Sequence, residues 1–406
     1  MSAIFNLFYI YDPWLFHFFR MAFLYGVLAC VILIYRWAQK KLVDGIILPI
    51  DSLVVIIGLI LFSIIPIFLN ATTEFAVIIQ YVKTLILFIF GIAIYNLFYA
   101  NESGQAKVIR DLKIGIVIQS IVGILALSGI PFVIDLSLST NVLLPRFYGS
   151  EQEYRLYNIT SMAFFQLSIF YLMLMHFLLA YNAKNNNVNS LFLFLLLFIG
   201  LISGRTFLFL SVLSILVYFK WRYIPVLIVF SGICLFLAIN FSEHKYVLHA
   251  LEPLINILKI TGVSSSAEQA VVFNDISQIS SSSENLVKNQ LYLPKLKQIL
   301  LGDGYYYTPA GHYYGATDSG FIRQILYGGI AYLAVCFFFT AYFVYRIAQN
   351  WFDTSWKFIL STILILSILN IKADTYAFPG IMLVLLMFLS LFGRNGKQVV
   401  IFKRGN

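Results

Sequence analysis

Charge is scarce in this chain. Only 11% of its 406 residues are Asp, Glu, Lys or Arg, where a soluble domain carries roughly a quarter. With 61% of the residues hydrophobic, that shortage argues against a soluble enzyme and for an integral membrane protein. Cysteine is nearly missing too. Cys30, Cys234 and Cys336 each lie alone in an apolar run, so no disulfide framework or thiolate metal site is suggested. The chain also lacks a Walker loop and the HExxH and paired-cysteine metal motifs, and no metal or cofactor is expected. Residues 1–15 lack a basic leader region, and no small-residue cleavage site follows the first apolar run, so no cleavable signal peptide is expected.

The net charge of +9 raises nucleic acid as a partner, but the placement of the basic residues argues against it. They gather in short connections: Arg36, Lys40 and Lys41; Lys107, Arg110 and Lys113; Lys220 and Arg222; and the tail Arg394, Lys397, Lys403 and Arg404. Cytoplasmic loops of membrane proteins read this way.

What replaces charge is a series of apolar runs near 16–35, 46–69, 76–99, 114–134, 159–181, 190–203, 206–219, 223–241, 318–345, 358–372 and 376–393. A span needs roughly 20 apolar residues, so we expect an all-α polytopic membrane protein of about eleven transmembrane helices. The opening "AIFNLFYIY" counts either as interfacial or as a twelfth. Alternating the spans against the basic loops places the N-terminus outside and the C-terminus in the cytoplasm. Three regions follow: an N-terminal bundle, 1–241, with an outer loop at 135–158; a large outward loop, 242–317; and C-terminal helices with a basic tail, 318–406.

The run from 188 to 219, of about 32 residues, would be roughly 48 Å long as one helix, too long for a single span without extreme tilt. Two short helices turning at "SGRT" instead put Lys184 and the Lys220/Arg222 pair on one side. A broken hairpin over 190–219 is therefore expected, with Arg205 inside the membrane profile. In the large loop, "HKYVLHALEPLINILK" has the spacing of an amphipathic helix lying on a membrane, kinked or started at Pro253. The Ser-rich middle, "TGVSSSAEQAVVFNDISQISSSSENLVKNQ", reads as a mobile linker, and Pro294 to Gly302 as a short helix.

Arg205 is the sharpest single signal. An arginine in an apolar hairpin costs several kcal/mol unless it meets water, an anion or a carboxylate; the bland alternative is a side chain snorkelling to the interface. Arg146 and Arg155 suit a bidentate grip on phosphate or carboxylate, or simply pair with Glu151 and Glu153. Lys83 and Lys372 read as snorkelling at span ends, and Asp51 and Asp374 are open to either reading. In "LLGDGYYYTPAGHYYGATDSGFIRQILYGG" the tyrosines, Tyr305, Tyr313 and Tyr314 among them, offer faces for sugar rings or form an interfacial belt. His312 and Asp318 are the proton-handling candidates, Asp318 doubling as a helix cap. Asp318 and Arg323, five apart, are not a routine helical ion pair.

Three segments, "LPRFYGSEQEYRLYNITSMAFF", "LISGRTFLFL" and "LLGDGYYYTPAGHYYGATDSGFIRQILYGGIAYL", resemble those of the O-antigen polymerase family, within the group that also contains O-antigen ligases. Where ligases tend to carry His at the entrance to the span after the loop, this chain has Asp318, which leans towards polymerase. Some polymerases show Arg followed after ten residues by Gly, a pattern that neither Arg146 nor Arg155 fits. The resemblance implies a metal-independent C-type glycosyltransferase of the bacterial inner membrane, its active site facing the periplasm. It would move a growing glycan from undecaprenyl pyrophosphate to a sugar hydroxyl of another lipid-linked repeat unit. A chain-length regulator and a flippase of the same pathway are implied partners. On that reading Arg205 and Arg146 meet pyrophosphate and Asp318 or His312 the acceptor, with Arg155, Arg323 and the tyrosines in support. The rivals are a ligase joining polymer to lipid A–core and a polysaccharide flippase. A flippase would spread charge through many helices, and no convincing inverted repeat supports a transporter.

Overall fold

The computed structural model describes residues 1–15, 18–41, 45–141, 145–260, 285–393 and 398–402. The Ser-rich middle of the large loop, up to residue 284, and the tail cations Arg394, Lys397, Lys403 and Arg404 lie outside them. The chain is almost entirely helical. In order come α1 (Ser2–Tyr11), α2 (Met21–Ala38), α3 (Ile50–Asn70), α4 (Ala76–Phe98), α5 (Gly104–Leu127), α6 (Pro131–Ser139), α7 (Phe164–Asn185), α8 (Ser190–Ser203) and α9 (Arg205–Val217). Then follow α10 (Ile224–Asn240), α11 (Lys245–Ala250), α12 (Glu252–Ile260), α13 (Leu296–Leu301), α14 (Gly320–Trp351), α15 (Trp356–Lys372) and α16 (Ile381–Leu389).

Among the described residues, six helices are long and apolar enough to cross a membrane: α2, α3, α4, α7, α10 with the turn before it, and α14. This corrects the expectation of eleven or twelve spans. The other apolar runs do form helices, but α1, α8, α9 and α16 have only 10, 14, 13 and 9 residues. At 1.5 Å per residue none covers a hydrocarbon core of about 30 Å. Helix α5 is long enough, but Lys107, Arg110, Asp111 and Lys113 crowd its first turns.

The chain forms two compact units. The first comprises Met1–Gly115, Thr160–Met162 and Tyr292–Asn406; the second, Ile116–Ile159 and Ala163–Leu291. In the first unit α4 packs against α2, α3 and α16, while α14 packs against α3, α13 and α15. Buried tyrosine hydroxyls bond to helix carbonyls at Tyr9–Leu87 (2.8 Å) and Tyr327–Ser63 (2.7 Å), which satisfies polar groups that water cannot reach. Ser2 meets Arg110 and the Tyr99 hydroxyl, so the N-terminus shares an end with a basic connection. Near the same end a two-stranded ribbon, β3 (Ile46–Pro49) with β4 (Gln398–Ile401), is antiparallel. The amide of Asn96 both accepts from and donates to the Ile47 backbone, fastening the ribbon to α4. The remaining strands, β1 (Trp14–Leu15) and β2 (Phe19–Arg20), pair with each other.

In the second unit α7 is the central helix, buried from Leu167 to Asn182 and packed by α8 and α9. Helix α8 stops at Gly204 and α9 restarts at Arg205, so the broken hairpin forms as its length required.

The polar stretch before α14 is built around a defect in that helix. Gly328 and Gly329 leave helical geometry, Gly329 with φ 70°. The carbonyls of Leu326 and Tyr327 accept instead from the N–H groups of Asp303 (2.7 Å) and Gly304 (3.0 Å). A Cβ on Gly329 would lie 2.4 Å from the Leu300 carbonyl oxygen. Gly329→Ala therefore adds a clash to an unfavourable φ and should destabilise the detergent-solubilised protein by at least about 1 kcal/mol, read as a lower melting temperature. Gly58→Ala, where a Cβ meets nothing within 4 Å, should be neutral or stabilising by up to about 1 kcal/mol. Equal melting of the two variants would remove the contact with Leu300 as the reason for Gly329.

Candidate functional site

In the first unit, residues 305–316 form an aromatic tongue. A bridge between Tyr307 and Tyr313 closes it, and Thr308 donates its N–H to the His312 carbonyl at 2.7 Å across the tip. Glu74, just before α4, accepts the N–H groups of both Tyr306 (2.7 Å) and Tyr307 (2.8 Å) on one carboxylate oxygen. Asp303 holds the other arm by accepting from Gln298 (2.7 Å) and the Tyr314 hydroxyl (3.1 Å). Neither carboxylate was singled out from the sequence, because each acts on backbone or side chains that only the fold brings near.

Beneath the tongue lies a buried ion pair. Arg323, from the first turn of α14, meets Asp374, just past α15, at 2.7 Å, with their side chains 2% and 0% exposed. The Tyr306 hydroxyl donates to the same Asp374 oxygen at 2.5 Å. Two rings enclose the guanidinium: its carbon lies 3.3 Å from the Tyr313 centroid and 4.7 Å from that of Tyr306, within cation–π range. Asp318 is exposed yet electrostatically close enough to disfavour charge on Asp374. It is not the helix cap, since α14 starts one residue later than that role requires, with Ser319 at the N-cap position. His312, Tyr305 and Tyr313 are also exposed, while Tyr314 is half-buried, with its ring 5.6 Å from that of Tyr305.

In the second unit the three predicted arginines share one cluster. Arg205 pairs with Glu252, the first residue of α12. Arg155 donates from Nε to the Ser203 carbonyl at 3.1 Å, placing a cation at the C-terminus of α8, where the helix dipole favours it. Its guanidinium stands 4.2 Å from the Phe164 centroid. Phe164 packs on Phe147 at 4.4 Å, and Arg146, exposed, lies 4.8 Å from the Phe147 centroid. A ladder of cation and ring therefore runs from Arg146 to Arg155. Phe164 adopts a left-handed backbone (φ 56°), an unfavourable conformation for a bulky residue. Gly204 leaves room for Arg155, because a Cβ there would come within 2.7 Å of Nη2. Glu153 is engaged by Gly149 and by the Tyr157 hydroxyl. Sequence reasoning passed over Glu252 and His249 as the polar face of an amphipathic helix.

Burial and then the proximity of Arg205 pull the Arg155 pKa down to about 10. Burial, followed by Arg205 and Arg155, pulls His249 down to about 4; its Nδ1 lies 2.9 Å from the Tyr154 hydroxyl. Glu151 also acts on Arg205, so Glu151, Glu153 and Glu252 match the three arginines in number, and what suits an anion here is the pair of guanidinium forks rather than surplus charge.

Two measurements test these centres. Asp374→Asn leaves Arg323 buried without its counter-charge and should cost about 3–5 kcal/mol of stability, whereas Glu74→Gln should loosen only the tongue, read as faster amide exchange at Tyr306 and Tyr307. Wild-type melting with added Asp374→Asn would mean water or another group neutralises Arg323. His249 resists protonation when folded but not when unfolded, so its contribution is present above about pH 6.5 and is lost as pH falls towards about 4. In His249→Gln the fall in melting temperature across that window should be shallower; an unchanged slope would assign the loss to other groups. Comparison with protein-family models, with curated proteins and with solved structures returns no match.

Proposed function

We propose that this chain is an inner-membrane glycosyltransferase that polymerises surface-polysaccharide (O-antigen) repeat units at the periplasmic face. The observation that carries the reading is the juxtaposition of Arg155 and Arg205 at the break between α8 and α9, with Arg205 also on the wall of an apolar groove. That groove, of about 610 Å³, is lined by Leu208, Val212, Phe230, Leu254 and Ile257 among others. A polyprenyl diphosphate has this amphipathic character, a dianionic head joined to a hydrocarbon tail. A guanidinium suits the diphosphate because its fork matches the oxygens and it stays charged when partly dehydrated.

In the reaction the bond between the sugar C1 and the diphosphate oxygen breaks, and the electron pair leaves on the diphosphate. Arg155 and Arg205, with Arg146 as a mobile third cation, stabilise that charge. A hydroxyl oxygen of the acceptor sugar forms the new bond to C1, and its proton passes to a general base or to water. In the first unit, taken by itself, exposed Tyr305 and Tyr313 offer faces suited to sugar rings, and exposed Asp318 and His312 offer proton-handling groups. Arg323 is already enclosed by Asp374 and two tyrosines; its role is to position the tongue.

Reconstitution with a synthetic undecaprenyl-diphosphate-linked repeat unit tests this. Wild-type protein should give a ladder of lengthened glycans. Arg155→Ala and Arg205→Ala should each lower the rate at least about 100-fold, the scale of losing one charge-stabilising donor, while remaining folded in the bilayer. A full ladder from either variant, or none from wild type, overturns the proposal. Transfer of a preformed polymer to lipid A–core, without lengthening, would make the chain a ligase.

A further inference from the structure

A second polar hollow opens in the first unit, about 230 Å³ in volume and lined by Asp12, Arg20, Gln80, Lys83, Thr84 and Gly380 with apolar neighbours. Asp12 is fully engaged. It accepts from Arg20 Nε at 2.8 Å and from the Ala22 N–H at 3.1 Å, and pairs with Arg20 Nη2 as well. These two charges offset each other, and Lys83 has no side-chain partner among the described residues. One positive charge is therefore left over.

The bland account of Lys83 is an ammonium reaching to an interface from a lipid-facing helix. Its neighbours argue otherwise. Gln80, Lys83, Thr84 and Leu87 share one face of α4 at helical spacing, and all four line the hollow. Gln80 also donates to the Tyr307 hydroxyl at 3.3 Å, so one side chain joins the hollow to the aromatic tongue. The space is smaller than the roughly 300–1,000 Å³ of a pocket for a drug-sized ligand, and matches a single ring.

Resting on the glycan-handling reading, we propose that this hollow is a subsite for an acidic monosaccharide unit, its carboxylate held by Lys83 and its hydroxyls by Gln80. Such a subsite would select which repeat unit is extended, because a neutral sugar leaves the ammonium without a counter-charge. A lipid phosphate shares the negative charge but lacks the ring hydroxyls.

The test uses the full chain in phosphatidylcholine nanodiscs, titrated with glucuronate and with glucose. Glucuronate should bind at least about tenfold more tightly, the scale of one charge-assisted hydrogen bond, and Lys83→Gln should abolish the preference while leaving glucose binding unchanged. Lys83 is exposed, so the variant should fold. Equal binding of the two sugars by wild type, or an undiminished preference in Lys83→Gln, overturns the proposal. So does stabilisation by phosphatidylglycerol without any effect of glucuronate, which would identify a lipid headgroup site. The binding readout is separate from polymerisation. A chain that selects glucuronate through Lys83 but makes no polymer overturns the reaction and keeps the subsite; polymerisation indifferent to Lys83 does the reverse.

Discussion

A charge enclosed by apolar protein must be met by protein groups, and the first unit is organised around one such demand. Arg323 and Asp374 are removed from water almost completely, and desolvation on that scale costs several kcal/mol per ion unless contacts return it. The return comes from one short ion pair, one tyrosine hydroxyl and two aromatic faces. Each contact fixes something else. Asp374 ties the end of α15 to the start of α14, and Tyr306 and Tyr313 tie both to the tongue. Moving the tongue as a rigid lid would strip the ion pair of its cover, so adjustment is confined to its tip, around His312.

The second unit meets the same demand incompletely. After burial, the nearby Arg205 lowers the pKa of Arg155, and the carboxylate of Glu252 pairs with Arg205. Compact ordering of like charges is unfavourable unless function uses it. The backbone of Phe164 points the same way, since a left-handed phenylalanine is a strained way to start a helix. Its ring nonetheless lies under Arg155 and against Phe147. An anion would offset the repulsion between the guanidiniums, while the backbone of Phe164 is held by the packing of its ring between Arg155 and Phe147.

The helices were largely legible from composition, because an apolar run of this length has few alternatives. The hairpin break at Gly204 was legible from length: a single helix over 188–219 would overrun the bilayer. Span number was not legible. Hydropathy does not report that α16 winds for only 9 residues. Among site residues, Arg205 stood out because arginine is conspicuous in apolar surroundings, whereas Arg155 read as a loop arginine in a supporting role. Asp374 did not stand out, because its role depends on Arg323 across a fold contact that no local spacing encodes. Asp318 read as a cap, yet the helix begins a residue later, leaving that carboxylate exposed and closer to the proton-handling reading than a cap would be. The ribbon of β3 and β4 joins distant segments and has no local signature.

The abundance of tyrosine over phenylalanine in the tongue follows from these constraints. A buried ring needs a hydroxyl only where a polar atom awaits it. Tyr306 reaches Asp374, Tyr307 takes the amide of Gln80, and Tyr314 reaches Asp303. These three hydroxyls hold the tongue. Tyr305 and Tyr313 are the exposed pair, and Tyr313 already rests one face on Arg323. A ring loaded that way has one face left, and the cation beneath it draws electron density from that face. The remaining surface is then less suited to a second cation, and what it retains is mainly apolar contact area. Gln80 both lines the hollow beside Lys83 and donates to the Tyr307 hydroxyl, so the tongue and that hollow are joined through one side chain.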